Sequence, residues 1–159
     1  MTTTLPSIAP TGYALDTTDF LHAKCDKSGA TRLVTGSVSI PATTATATIV
    51  GLMPFRAGAK LGYGARVYSA DLDTSTNVTV DIGYTYYDSA TGSSVDDAFV
   101  DTSTAPQAGG MMEMTAVAGM TWTALGDGWI TVTFNAATTT TGSLTFSLPI
   151  VYDSSGVTN

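Results

Sequence analysis

The stretch from Asn77 to Tyr87 constrains the fold most, because its side chains alternate strictly between two sets. The apolar or aromatic set is Val78, Val80, Ile82, Tyr84 and Tyr86. The other set is Thr79, Asp81, Gly83, Thr85 and Tyr87. Successive side chains of a β-strand point to opposite faces, whereas a helix would scatter this pattern around its circumference. The stretch therefore predicts a β-strand with one buried face.

The same alternation recurs in two stretches nearer the C-terminus, from Ile130 to Phe134 and from Leu144 to Tyr152. The predicted core combines the three stretches and consists of Val78, Val80, Ile82, Tyr84, Ile130, Val132, Phe134, Leu144, Phe146 and Leu148. Pro149 lacks an amide hydrogen, so we expect the end of the last stretch to lie at a sheet edge. Alternating Thr and Ala residues from Thr44 onward predict one more strand.

Clusters of Gly, Asp and Ser separate these stretches, which is typical of short strands joined by turns. Long solvated helices need charged side chains and Gln on their outer faces, yet the chain has a single Glu, Glu113. We therefore predict an all-β fold, an antiparallel, jelly-roll-like β-sandwich of seven or eight strands. Two exceptions are a short helix beginning near Asp16 and a loop or helical turn from Asp96 to Asp101.

The chain of 159 residues is long enough to form one domain with its own core. Residues 1–31 lack periodicity and are rich in Thr, Pro and Ser, so we predict an extended N-terminal docking arm. The sandwich is predicted to occupy residues 32–159. The first residues are neither basic nor continuously apolar, so we expect no signal peptide, and no apolar run is long enough to cross a membrane.

Charge is divided unevenly along the chain, whose formal net charge is -7. All six Lys and Arg residues occur up to Arg66, together with three acids, and ten acids without any base follow. This balance disfavours binding to nucleic acid. The asymmetry is either a chance distribution or a basic end that docks on an acidic surface. The candidate docking residues are Lys24, Lys27, Arg32 and Arg56.

The sequence indicates neither catalysis nor a cofactor. His22 and Cys25 lie three residues apart, but the local sequence of a cysteine hydrolase is missing. No nucleophile elbow and no phosphate-binding loop occur either. We therefore expect a protein that is not an enzyme and binds no cofactor.

Two acidic groups leave alternatives open. Asp71, Asp73 and Ser75 place oxygens at alternate positions, as at the start of a calcium-binding loop. The glycine and the closing Glu of such a loop are missing, which favours Asx turns instead. The second group, at Asp96, Asp97 and Asp101, either stays solvated or binds a divalent ion between subunits.

A methionine cluster is the main candidate for contact between copies of the chain. Methionine suits both irregular cores and adaptable interfaces, so both interpretations apply to Met111, Met112 and Met114. For the second interpretation we expect these residues, with Asp97 and Phe99, near the interface of a homo-oligomer, most simply a trimer.

Several short motifs follow one another between Pro54 and Gly110. They are Pro54-Phe55-Arg56-Ala57-Gly58-Ala59-Lys60-Leu61, Arg66-Val67-Tyr68, Asp71-Leu72-Asp73-Thr74, Val78-Thr79-Val80-Asp81-Ile82-Gly83-Tyr84, Asp97-Ala98-Phe99-Val100-Asp101 and Ala108-Gly109-Gly110. In this part of the chain the order resembles small virion proteins of tailed bacteriophages, of the capsid decoration or cement type. The resemblance implies a β-sandwich, usually trimeric, on the outer capsid lattice, and it implies no catalytic residues.

The composition agrees with that resemblance, because a Thr-, Ser- and Gly-rich chain with few charges suits a protein that works by burying surface against its neighbours. Our first hypothesis is a capsid cement or decoration protein that is made in the host cytoplasm, binds the major capsid protein and lies on the virion exterior. The alternative is a phage fibre or receptor-binding module, whose exposed Tyr and Trp side chains would hold a host glycan. We expect no binding to nucleic acid or to a membrane.

Overall fold

The computed structural model describes residues 31–114 and 122–152, which form nine β-strands and one 3-10 helix. The strands are β1 (Thr31–Ile40), β2 (Ile49–Phe55), β3 (Ala59–Leu61), β4 (Arg66–Ser69), β5 (Val80–Tyr86), β6 (Val95–Ser103), β7 (Gly110–Glu113), β8 (Gly128–Phe134) and β9 (Gly142–Tyr152). The 3-10 helix, Ala105–Gln107, lies between β6 and β7. No helix in these two ranges has the length and apolarity of a membrane span.

The strands form two antiparallel sheets. The five-stranded sheet has the order β1-β9-β4-β7, with β3 beside β9, and the four-stranded sheet has the order β2-β8-β5-β6. The pairs are nested along the chain, since β1 pairs with β9, β2 with β8, β4 with β7 and β5 with β6. This nesting results when a long two-stranded ribbon rolls up on itself. The predicted all-β, antiparallel sandwich is therefore confirmed, with nine described strands where seven or eight were predicted.

The core lies between the sheets and contains the residues predicted for it, although Tyr84 is only partly buried. The register explains their common direction: Val80 lies opposite Phe134, and Ile82 lies opposite Val132. Residues that are opposite in an antiparallel pair share one face of the sheet. Strand β2, which no alternation revealed, adds the buried residues Val50, Leu52, Met53 and Phe55.

Pro149 lies inside the five-stranded sheet, which corrects the prediction of a sheet edge. On one side of β9, Leu33 of β1 lies opposite Pro149. On the other side, β3 ends its pairing at Ile150 and β4 begins its pairing at Ser147. The Pro149 carbonyl accepts a hydrogen bond of 2.7 Å from the Gly62 amide in the connection between these two strands. Pro149 therefore lies at the point of β9 where the neighbouring strand on that side changes from β3 to β4.

The strand predicted from Thr44 onward is also wrong, because residues 41–48 form turns and β2 begins only at Ile49. Thr43 and Ala47 have φ angles of 67° and 63°, which lie in the left-handed region and are incompatible with a strand. The amide of Ala47 donates to the carbonyl of Phe134 at 2.7 Å. Hydrogen bonds to distant parts of the chain therefore decide the conformation of this segment.

The loop predicted from Asp96 to Asp101 belongs to strand β6 instead. Val95 lies opposite Tyr84 and Val100 opposite Ile82, so the register shifts because β6 holds extra residues. Such bulges interrupt the period of two, which explains why the sequence concealed the strand. The predicted helix near Asp16 and the predicted arm up to residue 30 lie outside the described residues.

Candidate docking surfaces

The outward face of the five-stranded sheet is open to solvent. Its register places Thr145 of β9, Tyr68 of β4 and Met111 of β7 in one row. Tyr68 is 42% exposed and Met111 is 48% exposed. In the next row the side chains of Arg66 and Glu113 form an ion pair of 3.7 Å. An exposed apolar pair therefore lies beside an ion pair, which is the composition of a small contact surface.

The predicted interface residues lie on β6 and β7 or, for Met114, directly after β7; the two strands are adjacent and form one lateral side of the sandwich. Met111 and Asp97 are exposed there. Met112, Met114 and Phe99 are turned into the core of their own subunit. Of the five predicted residues, only Met111 and Asp97 present exposed side chains to a neighbour. The contact between copies stays a prediction.

The three acids of β6 are exposed along this side and do not converge. Asp101 accepts a hydrogen bond of 2.6 Å from the Thr102 hydroxyl, and no group of three metal-ligating side chains forms within the described ranges. Charges and bulges on an edge strand discourage the addition of another strand. The acids Asp96 and Asp97 thus protect the β6 edge, whereas the short strand β7 carries no such charge before Glu113.

Three basic residues meet at one end of the sandwich. Arg32 lies at the start of β1 and Lys60 lies in β3, on the two sides of the last residues of β9. Arg56 lies in the turn between β2 and β3. Arg32 is distant in sequence from Arg56 and Lys60, and the pairing of β1 and β3 with β9 brings it to the same end. The predicted docking residues Lys24 and Lys27 lie outside the described residues.

The opposite end of the sandwich is acidic. It carries Asp71 and Asp73 in the loop between β4 and β5, and Asp101 near the end of β6. Two acids, Asp88 and Asp127, lie at the same end as the three bases, so this end keeps a small excess of basic side chains and is called the basic end. The uneven charge of the sequence thus becomes a polarity along the sandwich. A polarity of this kind orients a protein before contact.

Asp73 organises the acidic end from a buried position. One of its oxygens accepts hydrogen bonds from the Ser75 amide, the Ser75 hydroxyl and the Thr139 hydroxyl, at 2.8 to 3.0 Å. The other oxygen accepts from the amides of Asn77 and Val78. Burial raises the pKa of Asp73, but the hydrogen bonds from Asn77, Val78 and Ser75 outweigh it and hold this pKa well below its ordinary value.

This geometry settles the two alternatives for the first acidic group. Asp71 Oδ1 accepts from the Asp73 amide, and Asp73 Oδ1 accepts from the Ser75 amide, so both are Asx turns. The Asx turns predicted here are confirmed. The Asp73 carboxylate, which the calcium alternative needs, already binds amide and hydroxyl donors.

Most of the aromatic surface is used for internal packing. The cluster consists of Phe55, Tyr84, Tyr86, Phe99 and Trp122. The Trp122 ring centroid lies 5.0 Å from that of Phe55 and 5.3 Å from that of Phe99, both edge to face. Burial raises the pKa of the Tyr84 hydroxyl. A glycan platform built on Trp122, or on Trp129 with its 2% exposure, therefore gains no support.

No protein-family model matches the chain, and no curated protein matches it in sequence. Two solved structures do resemble it. A chain of the capsid of Ralstonia phage GP4 superposes with a TM-score of 0.64 at 20% identity, covering 84% of this chain and 89% of that chain. A chain of the cyanophage Pam1 capsid asymmetric unit gives a TM-score of 0.59 at 23% identity, with coverages of 78% and 86%. The chain thus has a β-sandwich fold that is found in the capsids of two phages.

Proposed function

We propose that this chain is a non-enzymatic structural protein of a phage virion, a cement or decoration protein that binds the major capsid protein. It lies on the capsid exterior and stabilises the lattice. The observation that carries this proposal is the fold that the chain shares, over 84% and 78% of its length, with chains of two phage capsids. A fold hosts many functions, so the surfaces supply the remaining argument.

The basic end is the proposed contact with the capsid. Arg32 and Arg56 lie at this end, and residues 1–31, with Lys24 and Lys27, are the proposed docking arm. Charges of this kind steer the encounter and set the orientation more than they determine the final affinity. Ordering an arm on the lattice costs entropy, so firm attachment needs a long contact or several linked copies.

A homotrimer supplies linked copies, and the side formed by β6 and β7 is its proposed interface. Tyr68 and Met111 offer exposed apolar surface next to this side, with Arg66 and Glu113 as a polar rim. Interfaces combine an apolar centre and a polar rim in this way. Contact with a neighbouring copy also removes the Tyr68 and Met111 side chains from water, which favours association.

The test of attachment uses particles that have been stripped of the protein. Adding back the full chain is expected to restore their survival on heating. A triple reversal, Lys24→Glu, Lys27→Glu and Arg32→Glu, is expected to slow attachment, more so at low salt where screening is weak. The control Ala137→Glu adds the same side chain at an exposed position of the opposite end, in the loop between β8 and β9, and should leave the rate unchanged.

Three results would count against the proposal: no binding of the full chain to particles, equal slowing by Ala137→Glu, or unimpaired attachment of the triple reversal. The first rejects the cement function, and the other two reject the basic end as the contact. Imaging of labelled protein on the particles is a further measurement. Many copies over the shell support a cement protein, whereas a few copies at the tail favour the fibre or receptor-binding alternative.

Sedimentation of the purified full chain tests the oligomer. At micromolar concentration we expect a species several times heavier than the 16.3 kDa chain. Met111→Lys should shift it towards the single chain, because it places a charge in the apolar centre of the proposed interface. Leu125→Lys, at a loop residue that is 70% exposed, is the control. A wild-type sample that sediments only as a single chain rejects the oligomer.

A further inference from the structure

Tyr63 is the most exposed of the large apolar side chains in the described ranges, at 86%. It lies between β3 and β4, which run along the same side of β9. β3 ends opposite Ile150 and β4 begins opposite Ser147, so residues 62–65 lie opposite only two residues of β9. The two extra residues form a bulge, and a bulge of this kind changes the direction of the side chains that it carries. Tyr63 is therefore presented by the bulge.

Two glycines fix the backbone of the bulge. Gly64 has a φ angle of 84°, in the left-handed region that glycine adopts without strain. Gly62 donates its amide to the Pro149 carbonyl, and a Cβ at this position would lie only 3.1 Å from the Cβ of Pro149. The Tyr63 ring thus stands in water on a backbone of fixed geometry. Contact with a partner removes the ring from water and orders only one side chain, which favours binding.

Leu33 is a second exposed apolar side chain beside the bulge. It is 62% exposed and lies opposite Pro149 of β9. The next residues along these two strands, Val34 and Leu148, face the core, so Leu33 and Pro149 point outward. Gly62, on the other side of Pro149, has no side chain. We call this row the apolar strip; it consists of Leu33, Pro149, Gly62 and Tyr63, with exposed side chains at its two ends and the buried Pro149 between them.

Basic side chains lie on both sides of the apolar strip. Along β9, Val151 and Ser147 lie two residues, or about 7 Å, from Pro149 and on the same face. Lys60 lies opposite Val151, and Arg66 lies opposite Ser147. Both bases therefore belong to the same face of the sheet as the apolar strip. An apolar centre between charged side chains is typical of a protein contact surface.

The charges around the apolar strip indicate the chemistry of its partner. The strip lies towards the basic end, where Arg32 and Lys60 lie on the two sides of β9. The five strands of this sheet contain a single carboxylate, Glu113, and it pairs with Arg66 at 3.7 Å. Charge complementarity therefore favours a partner with an apolar surface that is surrounded by acidic side chains.

We propose that the Tyr63 and Leu33 side chains are the apolar contacts with which the basic end binds an acidic surface of the capsid lattice. The inference rests on the proposed cement function, because the capsid lattice is the partner. The bases set the rate and orientation of the encounter, whereas the apolar strip determines how long the complex lasts. Arg66 lies between this strip and the pair of Tyr68 and Met111, so a neighbouring copy can contact that pair at the same time.

Release of the full chain from decorated particles tests the inference. After dilution we expect Tyr63→Ser and Leu33→Ser each to dissociate at least about tenfold faster than the wild type, with association rates within about twofold of it. Tyr63→Phe keeps the ring and should dissociate at nearly the wild-type rate. Leu125→Ser is the matched control, because Leu125 is 70% exposed at the same end but lies in the loop before β8, a strand of the other sheet.

These variants change exposed side chains and should keep the wild-type melting temperature, so faster release does not reflect a loss of folding. Wild-type release rates for Tyr63→Ser and Leu33→Ser would overturn the inference and leave the cement function standing. Equal acceleration by Leu125→Ser would overturn the apolar strip as the specific contact. If Tyr63→Ser sediments as a lighter species than the wild type, the strip is a contact between copies instead. A wild-type chain that does not bind particles rejects the cement function and this contact with it.

Discussion

The outward faces of the two sheets differ sharply, although both carry mainly hydroxyl and small side chains. On the five-stranded sheet Ser37 and Thr145 are exposed, whereas on the four-stranded sheet Thr131 and Thr133 are buried. The residue types alone do not distinguish these faces. The difference lies in their neighbours across the sheet, which are glycines on both sides of Thr131 but Tyr68 beside Thr145.

The comparison shows how side-chain size decides whether a sheet can receive a third layer. A row with glycines lets another main chain lie close to the sheet, and β6 already does so at Gly83. On the other sheet, Tyr68 and the ion pair of Arg66 with Glu113 stand above the surface. That face stays open and is therefore available for contact with other molecules.

The largest effect is expected inside the sandwich, where the two sheets should behave alike. Phe134→Ala removes a side chain from the four-stranded sheet and Phe146→Ala one from the five-stranded sheet, and both are fully buried. Each should lower the free energy of unfolding by about 3–5 kcal/mol. Urea unfolding measures the loss. A loss below about 1 kcal/mol for either variant would show that its side chain is not part of the shared core.

The next effect distinguishes the outward faces. Gly83→Ala places a Cβ against the main chain of Val95 and Asp96, which cannot move away as a flexible side chain would. We expect the free energy of unfolding to fall by about 1–3 kcal/mol. Ser39→Ala, an exposed position on the open face, should change it by less than about 0.5 kcal/mol. Equal effects of the two variants would remove the distinction between the faces.

The loop that carries the chain from β4 in one sheet to β5 in the other should respond to pH through Asp73. The pKa of Asp73 lies below the ordinary value of an aspartate, so the unfolded chain takes up the proton first as the pH falls. The contribution of this carboxylate to the free energy of unfolding is therefore fully present above about pH 4 and is lost as the pH falls further. Asp73→Asn should lower the melting temperature at pH 7, and the difference from the wild type should shrink towards pH 2.

The control for that series is Asp97→Asn, which changes an exposed carboxylate on β6. Its melting temperature should stay close to that of the wild type at every pH. A difference between wild type and Asp73→Asn that stays constant from pH 7 to pH 2 would show that the carboxylate charge of Asp73 is not what stabilises the loop.

The smallest effect concerns a single hydroxyl on each face. The Thr133 hydroxyl is buried and has no hydrogen-bond partner among the described residues, so Thr133→Val should raise the free energy of unfolding by up to about 1 kcal/mol. Thr145→Val at an exposed position of the open face should be close to neutral. Differential scanning calorimetry measures the difference between the two variants. A Thr133→Val variant that is clearly less stable than the wild type would show that this hydroxyl has a partner.

The predictions from sequence succeeded for strands that keep their apolar side chains mainly on one face, whether or not the other face is buried. β5, β8 and β9 alternate because their apolar residues face the core, so their core residues were identified correctly. β2 has buried residues at nearly every position and shows no alternation. β6 contains bulges, so its period is interrupted and its strand was mistaken for a loop.

The candidate surfaces were predictable only in part. The sequence singled out Arg32, Arg56 and Met111, but nothing in it places Lys60 beside Arg32, because β3 and β1 meet only through β9. It also did not distinguish Met111 from Met112. The register of β7 with β4 turns the first outwards and the second into the core.

By itself, the sequence determined the all-β class, the core residues of β5, β8 and β9 and the Asx turns around Asp73, because these depend on neighbours within a few residues. The tertiary structure alone decided where Pro149 lies, which bases meet at one end and which outward face is buried. These depend on pairing between strands that are far apart in the chain. Burial belongs to the surroundings of a side chain, so a Thr at position 131 and a Thr at position 145 look alike until the sheets have formed.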